Sequence, residues 1–341
     1  MTSVTAITVC IVAAAVAFDF VNGFHDASNS IATLVATRTM KPRMAVLWAG
    51  IFNFAALFFF GTGVAKTVGS GMVKLEAVTP VVILSGLLGA VIWGLLTWWK
   101  RIPTSSSHAL LGGYAGAAMF NSALTYGFVG ADEIIIASGW IKTLIFIVIA
   151  PVLGLVLSFG LMSLTLFFER RYALTSKSRI FTYLQMASSA FLSLMHGSND
   201  AQKTAGIIAG ALVAGGYFKE FTIPQWVLWI SYGTMGLGTL AGGWRVVRTL
   251  GQRLTHLEPA GGFCAESSAA ASIFLATFLN LPVSTTHVTT GAVLGVGSAQ
   301  NPDKVRWKLA RRIALAWALT IPAAAFFGAV INGLALVCGG R

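Results

Sequence analysis

Residues 103–108 read Pro103-Thr104-Ser105-Ser106-Ser107-His108, and 179 positions further on the chain reads Pro282-Val283-Ser284-Thr285-Thr286-His287. The likeness continues downstream, where Gly112 and Gly116 match Gly291 and Gly295 at the same offset. Upstream stands a second pair. Asn22-Gly23-Phe24-His25-Asp26-Ala27-Ser28-Asn29 is echoed by His196-Gly197-Ser198-Asn199-Asp200-Ala201-Gln202-Lys203, with Gly, Asp and Ala coinciding at an offset of 174. Two motifs recurring in one order at nearly one spacing mark an internal duplication.

The chain around these motifs is 56% hydrophobic and 10% charged over 341 residues, with a mean hydropathy of +0.79. An ordinary globular chain is roughly a quarter charged. Residues 4–18 and 143–168 carry no charge at all, and about 20 apolar residues suffice for a helix to cross a bilayer core of ~30 Å. The expected fold class is therefore an all-α integral membrane protein of about ten transmembrane helices. The expected spans are 4–37, 44–65, 78–99, 106–127 and 140–168, then 180–213, 226–243, 262–280, 284–299 and 313–337. Five spans per half put the second half into the membrane from the opposite side. That is the inverted-repeat plan of many secondary transporters, with broken or half helices at a site between the repeats. The expected division is 1–168 for the first repeat, 169–179 for a short cytoplasmic linker and 180–341 for the second repeat.

The net charge of +12 does not point to nucleic acid, since no basic stripe with stacking aromatics is present. The cations cluster in short loops: Arg38 to Arg43, Lys100 and Arg101, Arg170 to Arg179, Arg245 to Arg253, and Lys304 to Arg312. With an extracytoplasmic N-terminus these loops are cytoplasmic and hold 17 of the 23 Lys and Arg residues. Lys66, Lys74, Lys142, Lys219 and Arg341 lie outside and Lys203 in a span. This bias favours a multi-pass protein of the cell membrane with both termini extracytoplasmic. The three cysteines, in apolar stretches and odd in number, read as thiols rather than a disulfide framework or a metal site. No basic segment precedes the first apolar run, so a cleaved leader is not expected.

Asp26 and Asp200 fall within apolar spans, where a carboxylate costs about 3 kcal/mol and faces a cavity, an ion or a partner. The bland alternative is an ion pair between Asp200 and Lys203, three residues apart on one helix face. Gly23 and Gly197, with Asn22, Asn29 and Asn199 nearby, suggest locally unwound helix whose carbonyls and amide oxygens would help hold a hard cation. A carboxyl that takes up a proton would serve a relay instead. In the two hydroxyl runs proline stops one helix and Ser or Thr caps the next. A helix N-terminus offers N–H groups and a positive dipole end, and the hydroxyls Ser105, Ser106, Ser107, Ser284, Thr285 and Thr286 add neutral donors. Such a set suits a tetrahedral oxyanion. His25, His108, His196 and His287 could donate to an anion, carry a proton or bond a carbonyl. Lys203 either meets the anion or neutralises Asp200. Glu266, in Phe263-Cys264-Ala265-Glu266-Ser267-Ser268, has Leu87 as its repeat mate and is a candidate ligand for a coupling ion, the alternative being a position near the membrane boundary. Asp19, two turns before Asp26, is a weaker candidate.

At these motifs the sequence resembles the inorganic phosphate transporter (PiT) family, in its bacterial low-affinity branch. The resemblance spans essentially the whole chain. It implies a symporter carrying inorganic phosphate, alone or as a metal–phosphate complex, with H+ or Na+, and a homodimer in membrane lipid. It also implies that Asp26, Asp200 and the two hydroxyl runs line the substrate path. The candidate substrate set is thus Ser105, Ser106, Ser107, Ser284, Thr285, Thr286, Asp26, Asp200, Asn29, Asn199 and Lys203. The candidate coupling set is Asp26, Asp200, His25, Asn22 and Glu266. No catalytic residue, resident metal or cofactor is expected. The chain departs from sodium-driven members at His25, where they carry Asn, and at Leu87, where many carry Glu. Both departures favour proton coupling. The long hydrophilic insert of some members shrinks here to Glu169–Arg179. Sulfate is the rival cargo, weakened by two aspartates that repel an oxyanion unable to share a proton. An intramembrane hydrolase lacks the nucleophile elbow its chemistry would need.

Overall fold

A computed structural model describes residues 3–75, 78–127, 133–172 and 175–338; Arg341 and part of the expected linker, residues 173 and 174, lie outside them. Twelve α-helices are described. They are α1 (Ser3–Ala36), α2 (Pro42–Ala55), α3 (Gly63–Ser70), α4 (Pro80–Trp99), α5 (Ser106–Tyr126) and α6 (Ala137–Tyr172). They continue with α7 (Arg179–Ala214), α8 (Gln225–Ala241), α9 (Trp244–Gln252), α10 (Pro259–Phe278), α11 (Thr285–Gln300) and α12 (Trp307–Val337). The described residues form no strand, and an isolated bridge joins Val73 to Ile135. Most helices fall where the apolar runs predict, with two differences. The expected span 44–65 breaks after Phe58, with α3 leaving at 85° to the preceding segment and running on to Ser70. Helix α9 (Trp244–Gln252) forms where a basic loop is expected, because one of its faces buries Val246, Val247 and Leu250.

Burial is inverted relative to a soluble protein. Helix α6 turns Ile141, Leu144, Val148, Val152 and Val156 outward, and α12 does so with Leu315, Leu319 and Phe326. By contrast, α7 is buried without interruption from Met195 to Leu212, including His196, Asn199, Asp200 and Lys203. Apolar outside and polar inside is the arrangement a bilayer imposes, because charged groups must face a protein interior or a wet cavity. Four helices among the described residues are long and apolar enough to cross on composition alone: Thr5–Ala36, Pro80–Trp99, Ala137–Tyr172 and Trp307–Val337; the bent pair around Phe58 makes a fifth. The buried polar groups lie mainly on α1, which is one of these, and on the less apolar helices such as α7, α10 and α11.

Helices α1 and α7, which bear the matched Asp motifs, run antiparallel side by side. Asp19 meets Thr204, Ser30 meets His196 and Thr37 meets Gln185, so positions rise on one helix as they fall on the other. The packing is also reciprocal: α5 lies on α12 and α11 on α6, while α8 lies on α1 and α2 on α7.

One expectation is corrected. Neither α1 nor α7 unwinds at its glycine; both run unbroken through the motif. The glycines serve close crossings instead. A Cβ on Gly23 would stand 2.2 Å from the Met235 carbonyl oxygen of α8, and one on Gly197 2.3 Å from the Asn53 carbonyl oxygen of α2. No helix carbonyls are released there for a cation.

Candidate functional site

The two hydroxyl runs build the starts of α5 and α11. Ser105 Oγ accepts from the His108 backbone N–H at 3.1 Å, and Ser284 Oγ accepts from the His287 N–H at 3.2 Å. Both serines are N-caps, each satisfying one of the N–H groups that a helix start leaves unpaired. The two starts adjoin, since Ser107 Oγ donates to the Val283 carbonyl at 3.2 Å. Asn199 holds the approach to α11 by accepting from the Val283 N–H at 3.2 Å and donating to the Leu281 carbonyl at 3.2 Å. It is a positioning residue here.

The remaining hydroxyls converge on the aspartates. Asp26 Oδ2 accepts from Ser106 at 2.7 Å, and Oδ1 accepts from Thr286 at 3.3 Å and lies 2.7 Å from His25 Nδ1. Asp200 Oδ2 accepts from Thr285 at 3.1 Å, with His196 Nε2 3.2 Å away. Asn29 spans the start of α11, donating to Thr285 at 3.2 Å and Thr286 at 3.0 Å. Each half thus contributes an aspartate and a helix start, and Thr286 crosses to the other half's aspartate. Lys203 Nζ donates to Asp200 Oδ1 at 2.6 Å, to the Val283 carbonyl at 2.7 Å and to Ser107 Oγ. In this conformation it neutralises Asp200 and ties it to both helix starts.

One atom each of Asp26, His196 and Asp200 lies within 4.8 Å of the other two, a set that could hold a metal ion. Chemically the site offers donors for an oxyanion, two carboxylates and one committed ammonium. An incoming anion would therefore meet excess negative charge unless a proton or metal ion entered with it.

Other candidates stand apart. Glu266 is ringed by Thr33 at 2.6 Å and Gln185 at 3.1 Å on Oε1, and by Ser188 at 2.6 Å on Oε2. Thr33 lies seven residues past Asp26, about 10 Å along α1, so Glu266 sits at the far end of the α1–α7 seam from Asp19. His108 and His287 turn away from the aspartates. Their ring centroids are 4.5 Å apart, His287 stacks on Trp317, and both line an apolar cavity of about 510 Å³ between α5, α6, α11 and α12. Asn22 lies on α1 between Asp19 and Asp26 with its carbonyl oxygen unpartnered. Sequence reasoning missed Thr33, Gln185 and Ser188 around Glu266, and Asn53, whose Oδ1 is 3.2 Å from His196 Nδ1.

The capping geometry separates two roles within one run. Ser284→Ala is expected to cost about 1 kcal/mol of stability, the usual value of a lost cap, with little change in anion affinity. Thr285→Val removes a donor to Asp200 and is expected to weaken anion binding more than it lowers the melting temperature. Parallel melting and binding measurements on the two variants check this; equal binding losses would remove the distinction.

The model of the Phosphate transporter family matches residues 22–328. A probable low-affinity inorganic phosphate transporter of Rhizobium meliloti is 46% identical over 321 residues, covering 94% of this chain and 94% of that protein. One from Bacillus subtilis is 40% identical, covering 95% and 96%. A solved structure titled the sodium-dependent phosphate transporter superposes with a TM-score of 0.83 at 24% identity, over 97% of this chain and 99% of that one.

Proposed function

This chain belongs to the phosphate transporter family, a family of multi-pass carriers rather than enzymes, and from that premise we propose that it moves inorganic phosphate by cation-coupled symport with alternating access. The observation that carries the proposal is the convergence of the α5 and α11 starts on Asp26 and Asp200. Facing helix N-termini bind a tetrahedral anion through N–H groups and dipoles. The two carboxylates supply the reason for a co-transported positive charge.

The two halves act as inverted repeats, 1–168 and 180–341. The antiparallel seam of α1 and α7 and the reciprocal packing of α5 with α12 and α11 with α6 support that division. Ser106, Ser107, Thr285, Thr286, Asn29 and Lys203 contact the anion or hold what does, and Ser105, Ser284 and Asn199 shape the helix starts. Asp26 and Asp200 share charge with the coupling ion, and Glu266 serves as a further station. The cell membrane is the expected setting, with both termini extracytoplasmic, and the homodimer is the expected assembly.

We favour the proton over sodium because α1 and α7 stay helical through their motifs, leaving few free oxygens for a metal cation, and because His25 stands against Asp26. The structural neighbour's sodium dependence is the competing indication. The Asp26, His196 and Asp200 cluster favours one second reading, phosphate carried as a complex with a divalent metal.

Uptake of labelled phosphate into proteoliposomes under separate proton and sodium gradients tests the assignment. Accumulation under the proton gradient alone is expected, with sulfate a poor competitor. Sodium-driven uptake would reverse the choice of ion. Absence of uptake by folded protein under both gradients would remove phosphate symport altogether.

A further inference from the structure

Asp19 is as deeply buried as the two aspartates of the site, at 1% exposure, yet it belongs to neither hydroxyl run. Its Oδ1 accepts from Thr204 of α7 at 2.6 Å. Its Oδ2 has no hydrogen-bond partner, and none of the ion pairs among the described residues includes it. Ser231 of α8 stands beside this carboxyl, its own Oγ unpartnered. Asn22, whose carbonyl oxygen is also unpartnered, lies three residues further along α1, and Asp26 four beyond that. Spacings of three and four put Asp19, Asn22 and Asp26 on one face of the helix.

A carboxyl in this setting lacks a counter-charge. The nearby ammonium of Lys203 is committed to Asp200, Ser107 and Val283. A hard divalent cation takes about six oxygens or more, whereas the unpartnered oxygens beside this carboxyl are Asp19 Oδ2 itself and Ser231 Oγ, between helices whose carbonyls are already bonded. A proton needs one oxygen and one acceptor, and Oδ2 with Ser231 supplies both.

We propose that Asp19, with Thr204 and Ser231, is a proton-binding station distinct from the anion site and connected to it along α1 through Asn22. Protonated on Oδ2, the carboxyl donates to Ser231 Oγ while Oδ1 continues to accept from Thr204. Thr204 follows Lys203 directly and lies four residues past Asp200, so the helix that reads the state of Asp19 is the one that carries half of the anion site. The titratable groups facing Asp19 are Asp200 from α7 and Tyr232 from α8; on α1 itself the next carboxyl is Asp26, about two turns away. This inference rests on the proton-coupled reading above and adds to it a site that the two repeated motifs do not contain.

The test uses the full chain in proteoliposomes, comparing wild type, Asp19→Asn and Asp19→Glu. Two rates are read for each: accumulation of labelled phosphate under an imposed pH gradient, and exchange of labelled phosphate with equal phosphate on both sides. Asp19→Asn is expected to lower accumulation about tenfold more than it lowers exchange, the size of an ordinary coupling free energy, and Asp19→Glu to recover part of the loss. Infrared difference spectra of protein in lipid, taken across a pH titration, are expected to contain a carboxylic-acid carbonyl band that Asp19→Asn removes. That band can be read in wild type even if the variant folds poorly, because Ser231→Ala should shift it. Equal losses of accumulation and exchange, or a spectrum unaltered by both substitutions, overturn the station. Wild type driven by sodium alone overturns the proton reading itself, a different result from a proton-driven wild type matched by Asp19→Asn.

Discussion

Asp200→Asn is expected to lower phosphate uptake by about two orders of magnitude: a buried charge left without its partner costs about 3 kcal/mol, and a cost of that size carried by the transport barrier is roughly a hundredfold in rate. The substitution keeps the shape of the side chain and removes its charge. Lys203 then loses the counter-charge that stands 2.6 Å away, and Thr285 loses the carboxylate that it meets at 3.1 Å. An uncompensated ammonium at this depth is costly, and the starts of α5 and α11 are tied together partly through it. Lys203→Met should be comparably damaging, since it leaves Asp200 without its cation.

The double variant, Asp200→Asn with Lys203→Met, separates function from scaffolding. If the pair only satisfied itself, removing both members would restore most of the uptake, because neutral partners of similar shape are tolerated where a single buried charge is not. If the pair belongs to the anion and ion sites, the double variant regains melting temperature and stays inactive. Measuring both quantities for all four proteins closes the cycle, and full recovery of uptake would assign the pair to structure alone.

The span pattern was legible because the basic residues concentrate in the loops and leave long apolar runs between them. Pro42, Pro80 and Pro259 each stand at the first position of a helix, where a missing N–H costs nothing. The site was legible because it is written twice. What stayed hidden depends on contacts between distant positions. Thr33, Gln185 and Ser188 are common residue types scattered over two helices, and only the α1–α7 seam brings them to Glu266. The hydroxyl runs concealed a division of labour: Ser105 and Ser284 cap, while their successors reach the aspartates. His108 and His287 were ambiguous for the same reason. About 200° of helical rotation separates His108 from Ser106 and His287 from Thr285, so turning the hydroxyls toward the aspartates turns the imidazoles toward α6 and α12.

Gly23 and Gly197 show how one residue type supports opposite expectations. A glycine in an apolar helix permits unwinding and equally permits close approach, and a single sequence carries no sign to choose between them. Substitution supplies the sign. In an open helix Gly197→Ala would stabilise by about 1 kcal/mol through helix propensity, whereas an unwound segment with room beside it would accept Ala quietly. Here the added Cβ would stand 2.3 Å from the Asn53 carbonyl oxygen, and that oxygen belongs to the backbone of α2 and cannot swing aside. Gly197→Ala is therefore expected to destabilise, and Gly197→Val, with two further methyls, to cost about 4 kcal/mol or more, the range of severe overpacking. The effect reaches the site, since Asn53 Oδ1 lies 3.2 Å from His196, which lies 3.2 Å from Asp200. Pushing α2 away from α7 disturbs the aspartate as well as the packing. Melting curves and the yield of monodisperse protein in detergent check the prediction, with Gly23→Val giving the matching loss at the α1–α8 crossing. A Gly197→Val protein that melts like wild type would mean that the two helices do not meet at Gly197, and the unwound reading of the motif would regain its footing.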